Sequence, residues 1–148
     1  MKLKLSLIAA MFAIASLSAC GGGGGSNNAP STPVYSPATL VKNDTIVGTG
    51  AEATVGKNVK VHYTGWLYTT TVANFKGTQF DSSSGKDPLP FTVGVGVIPG
   101  FSQGVTGMKV GGKRTVFIPS ELGYGARGTD GIPPNSGLVF DIELVEVR

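Results

Sequence analysis

Cysteine and histidine are almost absent from this 148-residue chain, which has one of each. A single cysteine, Cys20, excludes an internal disulfide and a metal site built from cysteines. The single histidine, His62, has no partner for a catalytic triad, and we interpret it as a surface residue. Basic residues form no cluster interleaved with aromatic ones, so nucleic-acid binding is not expected. No metal and no cofactor are implied.

The chain also lacks an apolar run long enough to span a bilayer as a permanent helix. Lys2 and Lys4 precede a short apolar run at 5–17, which is typical of a secretory signal peptide. The segment Leu17-Ser18-Ala19-Cys20 resembles the bacterial lipobox, in which the cysteine is cut free and acylated. We therefore expect a lipoprotein signal peptide at 1–19 and lipidation at Cys20, with a plain signal peptide and a stray cysteine as the alternative.

Cleavage would leave ten basic against nine acidic residues, so the formal charge falls from +3 to +1. The residue after Cys20 is Gly21 rather than aspartate. This resembles the signal that sorts lipoproteins to the outer membrane in diderm bacteria. The expected location is thus the bacterial cell envelope, lipid-anchored to the outer membrane and facing the periplasm.

Apolar side chains are scarce between Gly21 and Pro37, where glycine, serine, asparagine and proline dominate. Such a composition cannot bury a core and is typical of a flexible tether. We therefore predict a tether at 20–38 and one folded domain at 39–148, a usual size for a single domain.

Within the domain, short alternating runs predict strands of an antiparallel sheet. They lie at 59–63, with Val59, Val61 and Tyr63 on one face, at 114–118, and at 138–147; weaker patterns lie at 45–47 and 92–93. One short helix is predicted near 101–108, where Phe101, Val105 and Met108 share a face. Together they indicate an α+β fold.

Aromatic and large apolar residues recur among the glycine-rich turns of this domain. They occur in Val61-His62-Tyr63-Thr64-Gly65, Phe80-Asp81-Ser82-Ser83, Val97-Ile98-Pro99-Gly100-Phe101, Tyr124-Gly125-Ala126 and Leu138-Val139-Phe140-Asp141. Such residues can line an apolar pocket with few polar groups. That pocket suits an apolar, proline-containing peptide better than acid–base or metal chemistry.

These segments, in this order, resemble the FKBP-type peptidyl-prolyl cis/trans isomerases, bacterial lipoprotein forms most of all. The resemblance covers about 48–147 and implies an antiparallel sheet of five or six strands wrapped around one short helix. It also implies an enzyme that isomerises prolyl bonds and assists the folding of secreted or envelope proteins. The implied partners are proline-containing segments of unfolded proteins and macrolides of the rapamycin type, bound by a monomer.

The resemblance also implies the site. Its catalytic residues would be Tyr63, Phe80, Asp81, Ile98, Phe101, Tyr124 and Phe140, and its substrate-binding residues Val97, Ile132 and Phe91. Phe101 would form the floor of the pocket, Ile98 would offer its backbone amide, and the Tyr124 hydroxyl would reach a ligand carbonyl. Asp81 would orient a neighbouring tyrosine.

Four departures from the family pattern are visible. Phe101 replaces the usual tryptophan, which predicts a deeper or looser floor, and 94–98 is one residue shorter than usual. Leu89 replaces an aromatic residue, and 68–77 is longer than a tight turn, which predicts a bulged strand. Phe101 and the shortened 94–98 segment favour one alternative, a proline-peptide binding module without turnover. A surface interaction protein, in which the lipid and tether matter most, is a further alternative.

Overall fold

The structure, a computed structural model, describes residues 33–148. The predicted signal peptide, Cys20 and most of the tether lie outside the described residues. The strands and helix, in chain order, are β1 (Val41–Ile46), β2 (Asn58–Tyr68), β3 (Lys76–Ser82), β4 (Leu89–Thr92), α1 (Pro99–Val105), β5 (Lys113–Ile118) and β6 (Leu138–Val147). All strand pairs are antiparallel, in the order β1-β5-β6-β2-β3, with β4 also paired to β2.

The predicted α+β fold is therefore confirmed, and alternation in the strands separates an inner face from an outer one. On β2, Val59 and Val61 are buried in the core, whereas Lys60 and His62 lie on the outer face. Helix α1 covers the inner face and contacts β5 and β6. The core forms between this helix and the sheet.

The helix begins and ends earlier than the sequence predicts. Pro99 occupies its first turn, where the missing N–H of proline costs no hydrogen bond. Gly107 has φ +88°, a left-handed conformation that ends the helix before Met108. Met108 is buried as predicted, but it belongs to the turn after α1.

Two glycines allow α1 to lie close to β5. A Cβ at Gly100 would lie 2.3 Å from Ile118 Cγ2, and one at Gly104 would lie 2.9 Å from Val116 Cγ2. Contacts this short leave no room for even a methyl group. The low helix propensity of glycine is thus offset by close helix–sheet packing.

The long connection between β2 and β3 distorts the sheet as predicted. The β2–β3 register shifts twice, between Gly65 and Trp66 and between Trp66 and Tyr68. Such bulges bend a strand and raise its twist. The connection returns to β3 through Phe75, whose φ is +60°.

The folded unit starts earlier than the boundary at 39 that composition predicts. The Gly137 N–H donates to the Tyr35 carbonyl at 2.8 Å, and the Ser120 N–H donates to Ser36 Oγ at 2.9 Å. Pro33–Arg148 accordingly forms one compact unit. Composition missed this because hydrogen bonds, rather than apolar side chains, fix the segment. None of the helices between 33 and 148 is long and apolar enough to cross a bilayer.

Candidate active site

Five rings predicted to belong to one site meet on the inner face of the sheet. Phe101 of α1 lies at the centre, with ring centroids 5.0 Å from Phe140, 5.6 Å from Phe91 and 5.7 Å from Tyr63. Phe80 of β3 meets Phe140 edge-on at 5.5 Å. These separations are typical of aromatic rings in contact. The structure thus brings four strands and the helix to one aromatic cluster.

The floor of this cluster is packed rather than loose. Phe101 is only 4% exposed and contacts three rings, so the looser floor expected from replacing tryptophan is not seen around this side chain. Ile132, from the loop before β6, is equally buried in the same core.

A glycine that sequence reasoning missed makes room for two of these rings. Gly65 lies on the inner face of β2, and a Cβ there would lie 2.7 Å from both Phe80 Cζ and Phe140 Cε1. Glycine within a strand often marks a close approach of this kind. Its position inside an alternating strand was the available signal.

One carboxylate lies at the edge of the cluster. The Tyr63 hydroxyl donates to Asp81 Oδ2 at 2.7 Å, while the Ser82 N–H donates to Asp81 Oδ1 at 2.8 Å. Burial, then the hydrogen bond to Asp81 and its charge, raise the pKa of Tyr63 to about 12, with a smaller contribution from Tyr124. Asp81 thereby fixes the orientation of the tyrosine ring, in agreement with its predicted role.

The shortened loop before α1 presents a backbone donor. The Ile98 carbonyl accepts from the Phe101 and Ser102 amides, which fixes the peptide group at the helix start. Within residues 33–148, the Ile98 N–H donates to no protein acceptor. Val97 and Ile98 pack their side chains against the core. The Ile98 N–H belongs to the preceding Val97–Ile98 peptide group, one peptide before the carbonyl that the helix start anchors.

Ser102 also went unrecognised in the sequence, although it holds this loop in place. Its Oγ accepts from the Gly94 N–H at 2.5 Å, and the side chain is buried. Gly94 has φ +98°, which a residue with a side chain rarely adopts. Serine in a short helix gave no sequence signal, since its partner lies eight residues earlier in a loop.

Tyr124 stands apart from the ring cluster. It lies in the loop after a 3-10 turn at Ser120–Leu122 and is partly exposed. Its carbonyl accepts from the Gly128 N–H, and the Asn135 N–H donates to the Gly125 carbonyl, so the loop is internally bonded.

His62 lies on the outer face, as predicted. Its Nδ1 is 3.1 Å from Ser83 Oγ, and the Ser83 hydroxyl also accepts from the Tyr63 N–H. These contacts join β2 to the end of β3, away from the aromatic cluster. His62 is therefore a structural residue rather than part of the site.

Comparison with known families decides what this arrangement is. The sequence profile of the FKBP-type peptidyl-prolyl cis-trans isomerases matches residues 50–145, well over half of the chain. The chain belongs to this family. The match spans all the ring-bearing segments of the cluster.

Relatives agree over nearly the whole domain. An FK506-binding protein of Neisseria meningitidis serogroup A is 51% identical over 112 residues, which cover 74% of this chain and 96% of that protein. Peptidyl-prolyl cis-trans isomerase FPR2 of Saccharomyces cerevisiae is 53% identical over 100 residues, or 66% of this chain and 70% of that protein. A crystal structure of a peptidyl-prolyl cis-trans isomerase from Pseudomonas syringae superposes with a TM-score of 0.62 at 34% identity, over 74% of this chain and 75% of that one. This protein is thus an FKBP-type peptidyl-prolyl isomerase.

Proposed function

We propose that this isomerase acts on proline-containing segments of unfolded or partly folded secreted and envelope proteins. The observation that carries the proposal is the ring cluster of Tyr63, Phe80, Phe101 and Phe140 beside the Ile98 amide. The cluster offers an apolar surface for a proline ring, and the Ile98 N–H offers a hydrogen-bond donor for a neighbouring peptide carbonyl. Macrolides of the rapamycin type are proposed to bind at the same place.

The chemistry requires no bond to break. Resonance gives the amide bond a rotational barrier of about 18–20 kcal/mol, and X-Pro bonds exchange in tens of seconds or longer. The twisted amide has lost resonance and is less dipolar than the planar one. A site with little water therefore destabilises the planar amide relative to the twisted one, which lowers the barrier.

Each residue has a proposed role in this step. The rings of Phe80, Phe101 and Phe140 hold the proline, with Phe91 and Ile132 supporting them. The Ile98 amide and the Tyr124 hydroxyl bind the carbonyls that flank the prolyl bond, so that binding energy favours the twist. A thousandfold acceleration needs about 4 kcal/mol of such preference.

Asp81 is proposed to position Tyr63 rather than to transfer a proton. Its two oxygens already accept from the Tyr63 hydroxyl and the Ser82 amide. The reaction needs no proton from the substrate. Asp81→Asn is therefore expected to keep part of the turnover, and a folded but wholly inactive Asp81→Asn protein would show that the carboxylate does more.

The second part of the proposal concerns location. Acylation of Cys20, the only cysteine, would hold the protein at the bacterial outer membrane, facing the periplasm. The lipobox-like segment ending at Cys20 supports this. Cys20→Ala is expected to leave an unlipidated precursor in bacteria; normal processing and lipidation of that variant by mass spectrometry would exclude the lipobox.

The test of the enzymatic part is a proline-isomerisation assay on a short peptide, with and without rapamycin. Acceleration that rapamycin abolishes is expected. His62→Ala serves as the matched control, since His62 lies on the opposite face of the sheet. Binding of peptide without acceleration would instead support the non-catalytic alternative.

A further inference from the structure

A second aromatic cluster lies on the outer face of the sheet, opposite the site. Tyr68 and Phe75 stack at 5.4 Å with 4° between their planes, and both meet Phe117 edge-on at 6.3 and 5.9 Å. The sheet register places Val41, Phe117, Val139 and Trp66 in one row beneath them. We call the partly exposed members the outer patch: Val41, Trp66, Tyr68, Val72, Phe75 and Phe117.

The outer patch covers an apolar residue, yet it remains partly exposed itself. Val139 is fully buried although it lies on the outer face. Above it, Phe75 is 37% exposed, and Val72, in the same turn, is 44% exposed. The Lys76 ammonium lies 4.4 Å from the centroid of the Trp66 ring, whereas Val41, Val72 and Phe75 present exposed apolar surface.

Backbone strain indicates that the patch is more than a cover for Val139. Phe75 adopts φ +60°, a conformation that bulky residues rarely take. The connection holds it there with hydrogen bonds from the Phe75 N–H to the Val72 carbonyl and from the Thr69 N–H to the Phe75 carbonyl, both 3.1 Å. Strained residues of this kind cluster at binding and functional sites.

The tether joins the domain beside this patch. The Gly137 N–H donates to the Tyr35 carbonyl, and the Gly137 carbonyl accepts from the Tyr68 N–H at 2.9 Å. One residue thus links the end of the tether to the central tyrosine of the patch. Fourteen residues separate Cys20 from Tyr35, and a glycine-rich chain of that length has a root-mean-square span of about 20 Å.

We propose that the outer patch contacts the surface of the bilayer in which Cys20 is anchored. The inference rests on the proposed lipidation of Cys20. Aromatic side chains favour the boundary between lipid and water, and a short tether raises the local concentration of lipid enough to make a weak patch effective. Residues 21–32 offer no large apolar side chain to the patch, because they consist of glycine, serine, asparagine, proline, threonine and Ala29.

This contact would orient the enzyme. Val139 and Phe140 are neighbours in β6, and successive strand residues point to opposite faces. With the outer patch against lipid, the ring cluster around Phe140 faces away from the membrane. Peptide segments in the surrounding solution then reach the site without passing the bilayer.

The position of the sole tryptophan allows a direct test. Trp66 is the only tryptophan of the chain and lies in the patch. The chain from Cys20 onward is coupled through its only thiol to a maleimide phospholipid in phosphatidylethanolamine–phosphatidylglycerol vesicles. Some of the lipids carry bromine high in the acyl chain, and quenching of Trp66 fluorescence reports contact with lipid. We expect at least twofold quenching for the wild-type chain.

Two variants make the test specific. Val72→Ser together with Phe75→Ser is expected to remove most of the quenching, whereas Val145→Ser should leave it unchanged. Val145 is a fair control because it is similarly exposed, at 39%, and lies about 20 Å along β6 from Val139. Absence of quenching in the wild-type chain, or equal quenching in all three proteins, would overturn the proposal. The patch would then be a surface for a second copy of the chain or for another protein.

Coupling at Cys20 keeps this test independent of the proposed function. Chemical attachment supplies the anchor even if cells do not lipidate Cys20, and mass spectrometry of the cellular protein reports that question separately. Isomerase activity on a short peptide in solution is expected to be the same for the wild-type chain and the Val72→Ser, Phe75→Ser variant. Circular dichroism confirms that the variant is folded.

Discussion

The Tyr63 hydroxyl is held in its protonated form by two features of its surroundings. Burial beneath the rings disfavours the charged phenolate, and Asp81 at 2.7 Å adds a hydrogen bond and a negative charge. Together they raise the pKa of Tyr63 to about 12. In an NMR titration with 13C-labelled tyrosine, we expect the Tyr63 Cζ resonance to begin shifting only well above pH 10.

The raised pKa of Tyr63 makes the free energy of unfolding depend on pH in the alkaline range. Below about pH 10, the ordinary pKa of tyrosine, Tyr63 keeps its proton in both folded and unfolded chains, so its contribution to stability is complete. That contribution is lost as the pH rises from 10 to about 12, because only the unfolded chain then ionises. In Asp81→Asn the pKa of Tyr63 should fall yet stay above 10, since burial, the largest single cause, remains. An unchanged pKa of Tyr63 in this variant would show that Asp81 does not contribute to the shift.

Phe101 offers a second test at the scale of one residue. It is buried, and its ring centroid lies 5.0 to 5.7 Å from those of Tyr63, Phe91 and Phe140, so a larger ring would have to displace them. Phe101→Trp is therefore expected to lower the free energy of unfolding by about 1–3 kcal/mol and to weaken rapamycin binding. Urea denaturation and calorimetry measure the two effects. A variant of unchanged stability that binds rapamycin more tightly would show that the floor retains space.

At the scale of the elements, α1 depends on glycines that a helix should not favour. Replacing Gly100 by alanine gains about 1 kcal/mol of helix propensity. The new Cβ, however, would lie 2.3 Å from Ile118 Cγ2 and 3.1 Å from the Leu122 carbonyl. We expect Gly100→Ala to destabilise the domain by about 1–3 kcal/mol net. Gln103→Ala, at an exposed position of the same helix, should be neutral or stabilising in the same urea titration.

Strands β2, β5 and β6 were predictable because buried and exposed residues alternate along much of their length, whereas β3 was missed and β1, exposed throughout, was only weakly indicated. The spacing of Val59, Val61 and Tyr63, with polar residues between them, is enough to predict the inner face of β2. The helix bounds were less predictable. The hydrophobic spacing predicted a helix that extends to Met108, but it gives no information on the left-handed turn at Gly107. Local patterns report which face is buried, but they do not report backbone conformation at a helix end.

Contacts between distant residues were beyond the sequence patterns. Arg114 donates to both oxygens of Asp44 and to the carbonyls of Gly104 and Thr106, which joins β1, β5 and the end of α1. Its hydrogen bonds lower the pKa of Asp44. In the sequence, Arg114 and Asp44 are two opposite charges 70 positions apart, and no local pattern links them. The aromatic site residues could be named from a family resemblance, whereas Gly65 and Ser102 needed the packed structure.

At the scale of the whole molecule, the segment ahead of β1 belongs to the domain. A chain beginning at Thr39 loses the hydrogen bonds of Tyr35 to Gly137 and of Ser36 to Ser120. We expect it to be less stable than a chain beginning at Pro33 by about 1–3 kcal/mol. Ser36→Ala in the longer chain removes one of the two bonds and should fall between them. Equal midpoints in urea for all three would mean that the segment contributes nothing.

The ring cluster and the Ile98 amide are proposed to twist a prolyl bond without acid–base chemistry. The most direct measurement is the rate of cis–trans exchange of a short X-Pro peptide by NMR, with the folded domain present in small amounts. We expect strong acceleration by the wild-type and His62→Ala proteins, partial retention in Asp81→Asn, and loss when rapamycin is added. A folded wild-type domain that binds the peptide but leaves its exchange rate unchanged would contradict this mechanism.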